Sequence, residues 1–244
     1  MHLSSEGIVV RDLCRDDDRI LTILTRRYGL VTAFANRASR PRSSLAGSTE
    51  LLCRSHFEIF QNRERSTVDR ADSIHSFFPL RERVEDLALA CWFAQLMQEL
   101  APRDSEAGGY IDLILAALYY LERHKRPHEL LKPVYELRLL TLSGYMPDLI
   151  ACSGCGQSPD HMSFSVEGHL LCPDCAIPGK LGVYPLSPGV LAAMRHSIYA
   201  EPKKIFSFSL SEPGLLSLRE ISEAFLLCQV EKTFPALEFY RSVV

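Results

Sequence analysis

The sequence predicts an α+β protein: a small N-terminal β-barrel, then an α-helical domain interrupted by a four-cysteine knuckle. Three observations predict it. Up to about residue 75, short runs rich in Ile, Val, Thr, Leu and Phe are separated by polar breaks. Beyond that point apolar residues recur at three- and four-residue steps, the period of helices. Two Cys-x-x-Cys pairs, Cys152-Ser-Gly-Cys155 and Cys172-Pro-Asp-Cys175, then break the helical pattern with 16 residues between them. The expected boundaries are a barrel over 1–78, helical segments over 79–151 and 183–244, and the knuckle over 152–182.

The strands expected are Gly7–Val10, Ile20–Thr25, Leu30–Ala35, Leu51–Phe60 and Ser66–Ile74. The breaks between them are Cys14–Asp18, Arg26–Gly29, Asn36–Ser48 and Gln61–Arg65. Five short strands with one long basic loop make an OB-fold barrel the first candidate, with an SH3-like barrel similar in pattern. Arg81–Leu100 is apolar almost all round and reads as a buried helix, with Trp92 in its core. Tyr110, Leu113, Ile114, Ala117, Leu118 and Leu121 mark a second helix. Pro133 is placed in the first turn of a third, Pro133–Ser143, ended by Gly144. Ser187 and Pro188 cap a fourth over Ser187–Ser197, and a last helix is expected over Gly214–Phe234.

Each Cys-x-x-Cys pair presents two thiols from a tight knuckle, and the spacer is long enough for a short hairpin that brings the pairs together. Cys152, Cys155, Cys172 and Cys175 are thus expected to hold a structural Zn²⁺. A four-thiolate site is closed, with no position for water or substrate, so this metal is not expected to do chemistry. His161 and His169 lie between the knuckles but are not needed as ligands. Cys14, Cys53, Cys91 and Cys228 are scattered among apolar neighbours and read as packed thiols, which with the knuckles suits a reducing cytoplasm.

The formal net charge is -3, so nucleic-acid binding has to come from a local patch. Such a patch exists in the sequence: between Arg26 and Arg54 stand Arg26, Arg27, Arg37, Arg40, Arg42 and Arg54 against one acid, Glu50. Tyr28, Phe34 and several serines are interleaved. Guanidinium forks pair with phosphate, and aromatic rings stack on unpaired bases. Arg26, Arg27, Arg37, Arg40 and Arg42 are the candidate DNA contacts. The bland alternative is a solvated arginine-rich loop. Asp16-Asp17-Asp18 lacks the pattern of a calcium loop and reads as a solvated turn.

Lys125, Arg126, Lys132 and Arg138 gather near Pro127 and Pro133 beside an apolar helix. They are a candidate rim for an acidic-hydrophobic peptide, against the plainer reading of a charged helix exterior. No nucleophile elbow, Walker loop, dinucleotide fingerprint or metalloprotease helix is present, so no enzyme is expected. The N-terminus lacks the pattern of a secretory signal, and the longest apolar runs, Leu87–Ala94 and Leu113–Leu121, fall short of the ~18 residues of a membrane span. A competing reading of the whole is a zinc-braced module that binds acidic peptide tails without DNA affinity.

Taken in order, the parts resemble the bacterial RecO family of recombination-repair proteins. The Gly7-Ile-Val-Val start, the Ile20-Leu-Thr-Ile-Leu-Thr-Arg-Arg-Tyr-Gly-Leu hairpin and the basic Arg37–Ser44 stretch look like that family's N-terminal OB domain. Tyr135-Glu-Leu-Arg-Leu-Leu-Thr-Leu-Ser-Gly-Tyr-Met-Pro-Asp-Leu, running into Cys152-Ser-Gly-Cys155, is similar to its helix-to-knuckle junction. One departure is Asn36-Arg37, where the family often has Lys-Gly. The resemblance implies a recombination mediator without covalent chemistry. Such a protein binds single- and double-stranded DNA, anneals complementary strands, and works with RecR and single-strand-binding protein (SSB), through the SSB C-terminal tail, to load RecA. It implies a cytoplasmic protein that joins the nucleoid during repair.

Overall fold

Strands β1 (His2–Arg15), β2 (Asp18–Thr25), β3 (Gly29–Ala35), β4 (Arg54–Gln61) and β5 (Ser66–His75) close into a barrel in the order β1-β2-β3-β5-β4. β1 pairs antiparallel with both β2 and β4, and β3 meets β5 in parallel at Phe34 and Thr67. This is the five-stranded Greek-key closure of an OB-fold. The computed structural model describes residues 1–40, 42–62, 65–177 and 179–244. Pro41, in the long basic loop, and Arg63 and Glu64, in the break before β5, lie outside the described residues.

Alternation makes the barrel. Val9, Leu21, Ile23, Val31, Ala33, Phe57, Ile59 and Val68 point inward and are buried, and each large side chain contributes about 1.5–3 kcal/mol. β1 is far longer than the four residues expected for it. Its first half pairs with β4 and its second half with β2, and an irregularity between Val9 and Arg11 bends it from one partner to the other. Gly7 sits at that passage, where a Cβ would lie 2.9 Å from Ile23 Cγ2 and from the Leu24 carbonyl oxygen. Leu51–Cys53, expected in a strand, instead end the long loop. There Leu52 N–H donates to Val9 O and Val9 N–H to Cys53 O, filling the gap that the bend leaves.

The helices are α1 (Val84–Leu100), α2 (Gly108–Glu122), α3 (His128–Leu142), α4 (Pro188–Tyr199), α5 (Glu212–Val230) and α6 (Pro235–Val243). Four further strands, β6 (Asp148–Cys152), β7 (Met162–Ser165), β8 (His169–Leu171) and β9 (Val183–Leu186), form a second sheet in the order β6-β8-β7-β9. Contacts group the chain into two units: Met1–Arg123 with Phe234–Val244, and His124–Thr233. The helical elements expected in 79–151 and 183–244 are shared between these units. Among the described residues no helix is long and apolar enough to cross a membrane.

In the first unit α1 is buried nearly all round, with Trp92 edge-on to Phe234. Gln98 Nε2 donates to Val10 O and ties α1 to β1. The segment after α1 crosses β3 at Gly29, whose φ is +65 and where a Cβ would stand 2.2 Å from Pro102 O. Only glycine fits such an approach.

In the second unit two helix expectations are corrected. α3 starts at His128, not Pro133, so Pro133 lies inside it. An interior proline costs about 3 kcal/mol. Burial of Leu130, Leu131, Val134, Tyr135 and Leu137 on the same helix offsets that cost. The helix expected over Gly214–Phe234 is α5, which stops four residues early: Glu231 after it is left-handed at φ 52, and a further helix that was not expected, α6, begins at Pro235 in the first unit. A proline disfavours helical backbone in the residue before it, and Phe234 is extended. The hairpin expected between the cysteine pairs is β7–β8, seated on α5 through Phe164 and Phe225. Cys53 is buried, but Cys14 and Cys228 are exposed rather than packed: one lies on β1 beyond its bend and the other on the outer side of α5.

Candidate functional site

The four cysteines meet at one end of the second sheet. Cys152 ends β6, Cys172 follows β8, and Cys155 and Cys175 close the two turns. Main-chain bonds from Gly156 N–H to Cys152 O and from Cys175 N–H to Cys172 O fix those turns. Gly154 leaves room for the cluster, since a Cβ there would crowd the Cys175 sulfur at 3.0 Å. All four sulfurs lie within 4.8 Å of one another, and those of Cys155 and Cys172 are 3.6 Å apart. Four sulfurs about 2.3 Å from a tetrahedral ion lie about 3.8 Å from each other, so the set is sized for one metal.

The titration of the thiols points the same way. Main-chain N–H groups aimed at the Cys152 sulfur, foremost that of Cys172, bring its pKa down to about 6. The crowding sulfurs of Cys172, Cys152 and Cys155 push Cys175 up to about 12. One thiolate forms readily and the last is resisted, unless a cation neutralises the cluster.

On the barrel, the arginines of the basic segment separate into two groups at opposite ends of β2 and β3, roughly 20 Å apart for strands of this length. At the β2–β3 turn, Arg26 bonds Asp112 of α2 at 2.6 Å and approaches Glu6. Its hydrogen bond to Asp112 raises the guanidinium pKa. Arg54 also pairs with Glu6, while Arg27 is exposed beside Tyr28. Arg26 and Arg54 thus already have carboxylate partners within the fold.

The other end forms a cleft of about 410 Å³ lined by Arg15, Asp16, Asp17, Asp18, Ile20, Phe34, Asn36, Arg37, Arg40 and Arg65. The cleft lies on the β2–β3 face between the β1–β2 and β4–β5 loops, the surface with which OB-folds bind oligonucleotides. Arg40 grips Asp17 through two nitrogens at 2.8 and 2.6 Å. Asp18 accepts the Arg37 main-chain N–H at 2.6 Å. The three aspartates do form a turn, but its carboxylates organise the basic loop instead of facing only water. Arg42 is exposed on that loop. Arg15, Arg37 and Arg42 make no side-chain ion pair among the described residues.

The proposed peptide rim is not one surface. Lys125 is exposed and Arg126 half-buried. Lys132 is 1% exposed, its Nζ 2.7 Å from Glu136 Oε1 and 2.6 Å from Glu223 Oε2. Arg138 donates to the main-chain oxygen of Ile198. Lys132 and Arg138 are therefore internal bonds. Helical spacing puts Lys132 over Glu136, whose buried carboxylate needs a cation.

Comparison with known proteins matches residues 1–77 to the family described as Recombination protein O N terminal, and residues 81–238 to Recombination protein O C terminal. The chain belongs to the RecO family. A DNA repair protein RecO of Acetivibrio thermocellus is 31% identical over 245 residues, covering 99% of this chain and 97% of the relative. One from Symbiobacterium thermophilum is 30% identical, covering 96% and 94%. The RecO-like Lys-Gly position gains a physical reason here. Arg37 has φ 55, a left-handed conformation in which glycine is unstrained. Arg15 and Arg65 escaped the sequence reading because they stand outside the basic run. Their signal was position, Arg15 at the end of β1 and Arg65 just before β5, on either side of the outer face of β2 and β3.

Proposed function

We propose that the chain acts in DNA repair as a recombination mediator that binds single- and double-stranded DNA on the β2–β3 face of its barrel. It anneals complementary strands and, with RecR, helps load RecA onto strands coated by SSB, engaging the SSB C-terminal tail. It performs no covalent chemistry and works in the cytoplasm at the nucleoid. The observation that carries the reading is the cleft at the OB recognition face, where Arg15, Arg37, Arg40 and Arg65 surround Phe34. Phosphates take the guanidinium groups, and the barrel supplies a rigid track. The ion held by Cys152, Cys155, Cys172 and Cys175 is zinc, the metal that four thiolates at this spacing suit; bound, it cross-links the second sheet and offers no open position. Arg26 does not join the DNA contacts, because Asp112 and Glu6 already hold it.

The test is anisotropy with labelled oligonucleotides across a salt series, comparing wild type with Arg37→Glu/Arg42→Glu. About four phosphate contacts predict a slope near −3 for single strands. The double variant is expected to bind at least tenfold more weakly, with a shallower slope. Equal affinity and equal slope would remove this surface from DNA binding.

A further inference from the structure

We propose that the cleft seats one unpaired nucleobase on the ring of Phe34, with Arg65 yielding to it, so that this face distinguishes single-stranded DNA from duplex. The inference rests on the DNA-binding reading above and adds a ligand and a residue role to it.

The argument starts from strand alternation. Along β3, Val31, Ala33 and Ala35 point into the barrel, which leaves Thr32 and Phe34 on the outside. Phe34 stands opposite Ile20 of β2, and both are only half-buried. An aromatic ring on the outer face of a barrel does no core packing. Here it lies among charged groups, lining the cleft with Arg15, Arg37, Arg40 and Arg65. A hydrophobic platform ringed by guanidinium groups is the arrangement that takes a base on the ring and its flanking phosphates on the cations. The cleft volume of about 410 Å³ falls within the range of pockets that enclose small ligands.

Arg65 explains the state of the platform without DNA. Its guanidinium carbon lies 5.8 Å from the centre of the Phe34 ring, so it shields the ring. Two successive stacking contacts need about 7 Å, so a base fits between ring and guanidinium only if Arg65 withdraws by about 1 Å or swings aside. Arg65 N–H donates to Asn62 Oδ1, which ties the main chain at Arg65 and leaves its side chain as the moving part. A paired base cannot enter, because its face is already stacked in the duplex.

The experiment measures binding of one labelled oligonucleotide, single-stranded and as a duplex, to wild type, Phe34→Leu and Phe34→Tyr. A second probe carries 2-aminopurine, whose fluorescence drops on stacking. Leucine keeps an outward apolar side chain, and tyrosine keeps a stacking face. Expected for Phe34→Leu is single-strand binding weaker by about 5- to 150-fold, the range of one stacked base, with duplex affinity and salt slope unchanged and quenching lost. Phe34→Tyr is expected to restore both affinity and quenching. Equal losses on single strand and duplex would overturn the proposal, as would quenching that survives in Phe34→Leu. If Phe34→Leu binds like wild type while Arg37→Glu/Arg42→Glu does not, the base seat falls and the DNA surface stands. If neither variant weakens binding, the DNA surface itself falls.

Discussion

Lys132→Met removes an ammonium group from a site where three side chains of the second unit meet: Lys132, Glu136 and Glu223. Lys132 and Glu136 are 1% and 0% exposed, while Glu223 keeps 20%. Methionine matches the lysine stem, so packing changes little and the loss is electrostatic. Glu223 can turn to water at small cost. Glu136 cannot: one of its oxygens accepts from Ser222 Oγ at 2.8 Å, and the other loses this cation. Stripping one partner from a buried pair costs about 3–5 kcal/mol. For a unit of roughly 110 residues melting by itself, that lowers the midpoint by about 13–22 °C, and by about half as much if the whole chain melts together. Differential scanning calorimetry and urea unfolding measure it. The companion Lys132→Met/Glu136→Met removes the buried carboxylate as well and is expected to recover most of the loss. A Lys132→Met shift below about 2 °C would refute the reasoning, because the carboxylate would then already be solvated by another route.

Two further outcomes are expected. Elemental analysis should find zinc bound to purified protein. Chelation and Cys172→Ser should each lower the unfolding midpoint, without adding to one another, because either one removes the same cross-link; full stability in metal-free protein would contradict this. Asp17→Asn spares Arg40 the loss of an exposed ion pair worth about 0–1 kcal/mol, so single-strand affinity should rise up to a few-fold. A fall in affinity would show that Asp17 serves DNA binding in some other way than by occupying Arg40.

How much of this was legible in the sequence depended on how far each residue's partner lay along the chain. The barrel strands were readable because one face of each is buried, which writes alternation into Leu21, Ile23, Val31 and Ala33. The full length of β1 was not, since Ser4, Ser5 and Glu6 look like loop residues until Phe57 and Glu58 arrive opposite them. The four-cysteine cluster was legible outright, because two knuckles are local and their spacing carries the geometry. The arginine stretch was legible as charge but not as chemistry. Nothing near Arg26 shows that Asp112, 86 residues away, will hold it. Lys132 carried a signal that went unused: a lysine among Leu130, Leu131, Pro133 and Val134, with glutamate four residues on, is the pattern of a buried pair.

The arginines of the basic segment therefore differ in availability, and exposure ranks them. Arg26 is tied to Asp112 and also approaches Glu6, with its side chain 37% exposed, so moving it to a phosphate gives up two carboxylate partners where Arg40 gives up one. Arg40 and Asp17 are 52% and 56% exposed. A pair so open to solvent contributes about 0–1 kcal/mol, less than one charge-assisted bond to a phosphate, which is about 1.5–3 kcal/mol. On the proposed DNA-binding reading, exchange of carboxylate for phosphate at Arg40 would thus be favourable, with Asp17 holding the side chain in place beforehand. The same carboxylate lowers the charge of the empty cleft, where Asp16, Asp17 and Asp18 stand against four arginines. A phosphate backbone can compensate for that reduction with several contacts at once. A single small anion has only one contact with which to displace Asp17, so on the proposed reading the acidic turn would favour polymers over free phosphate.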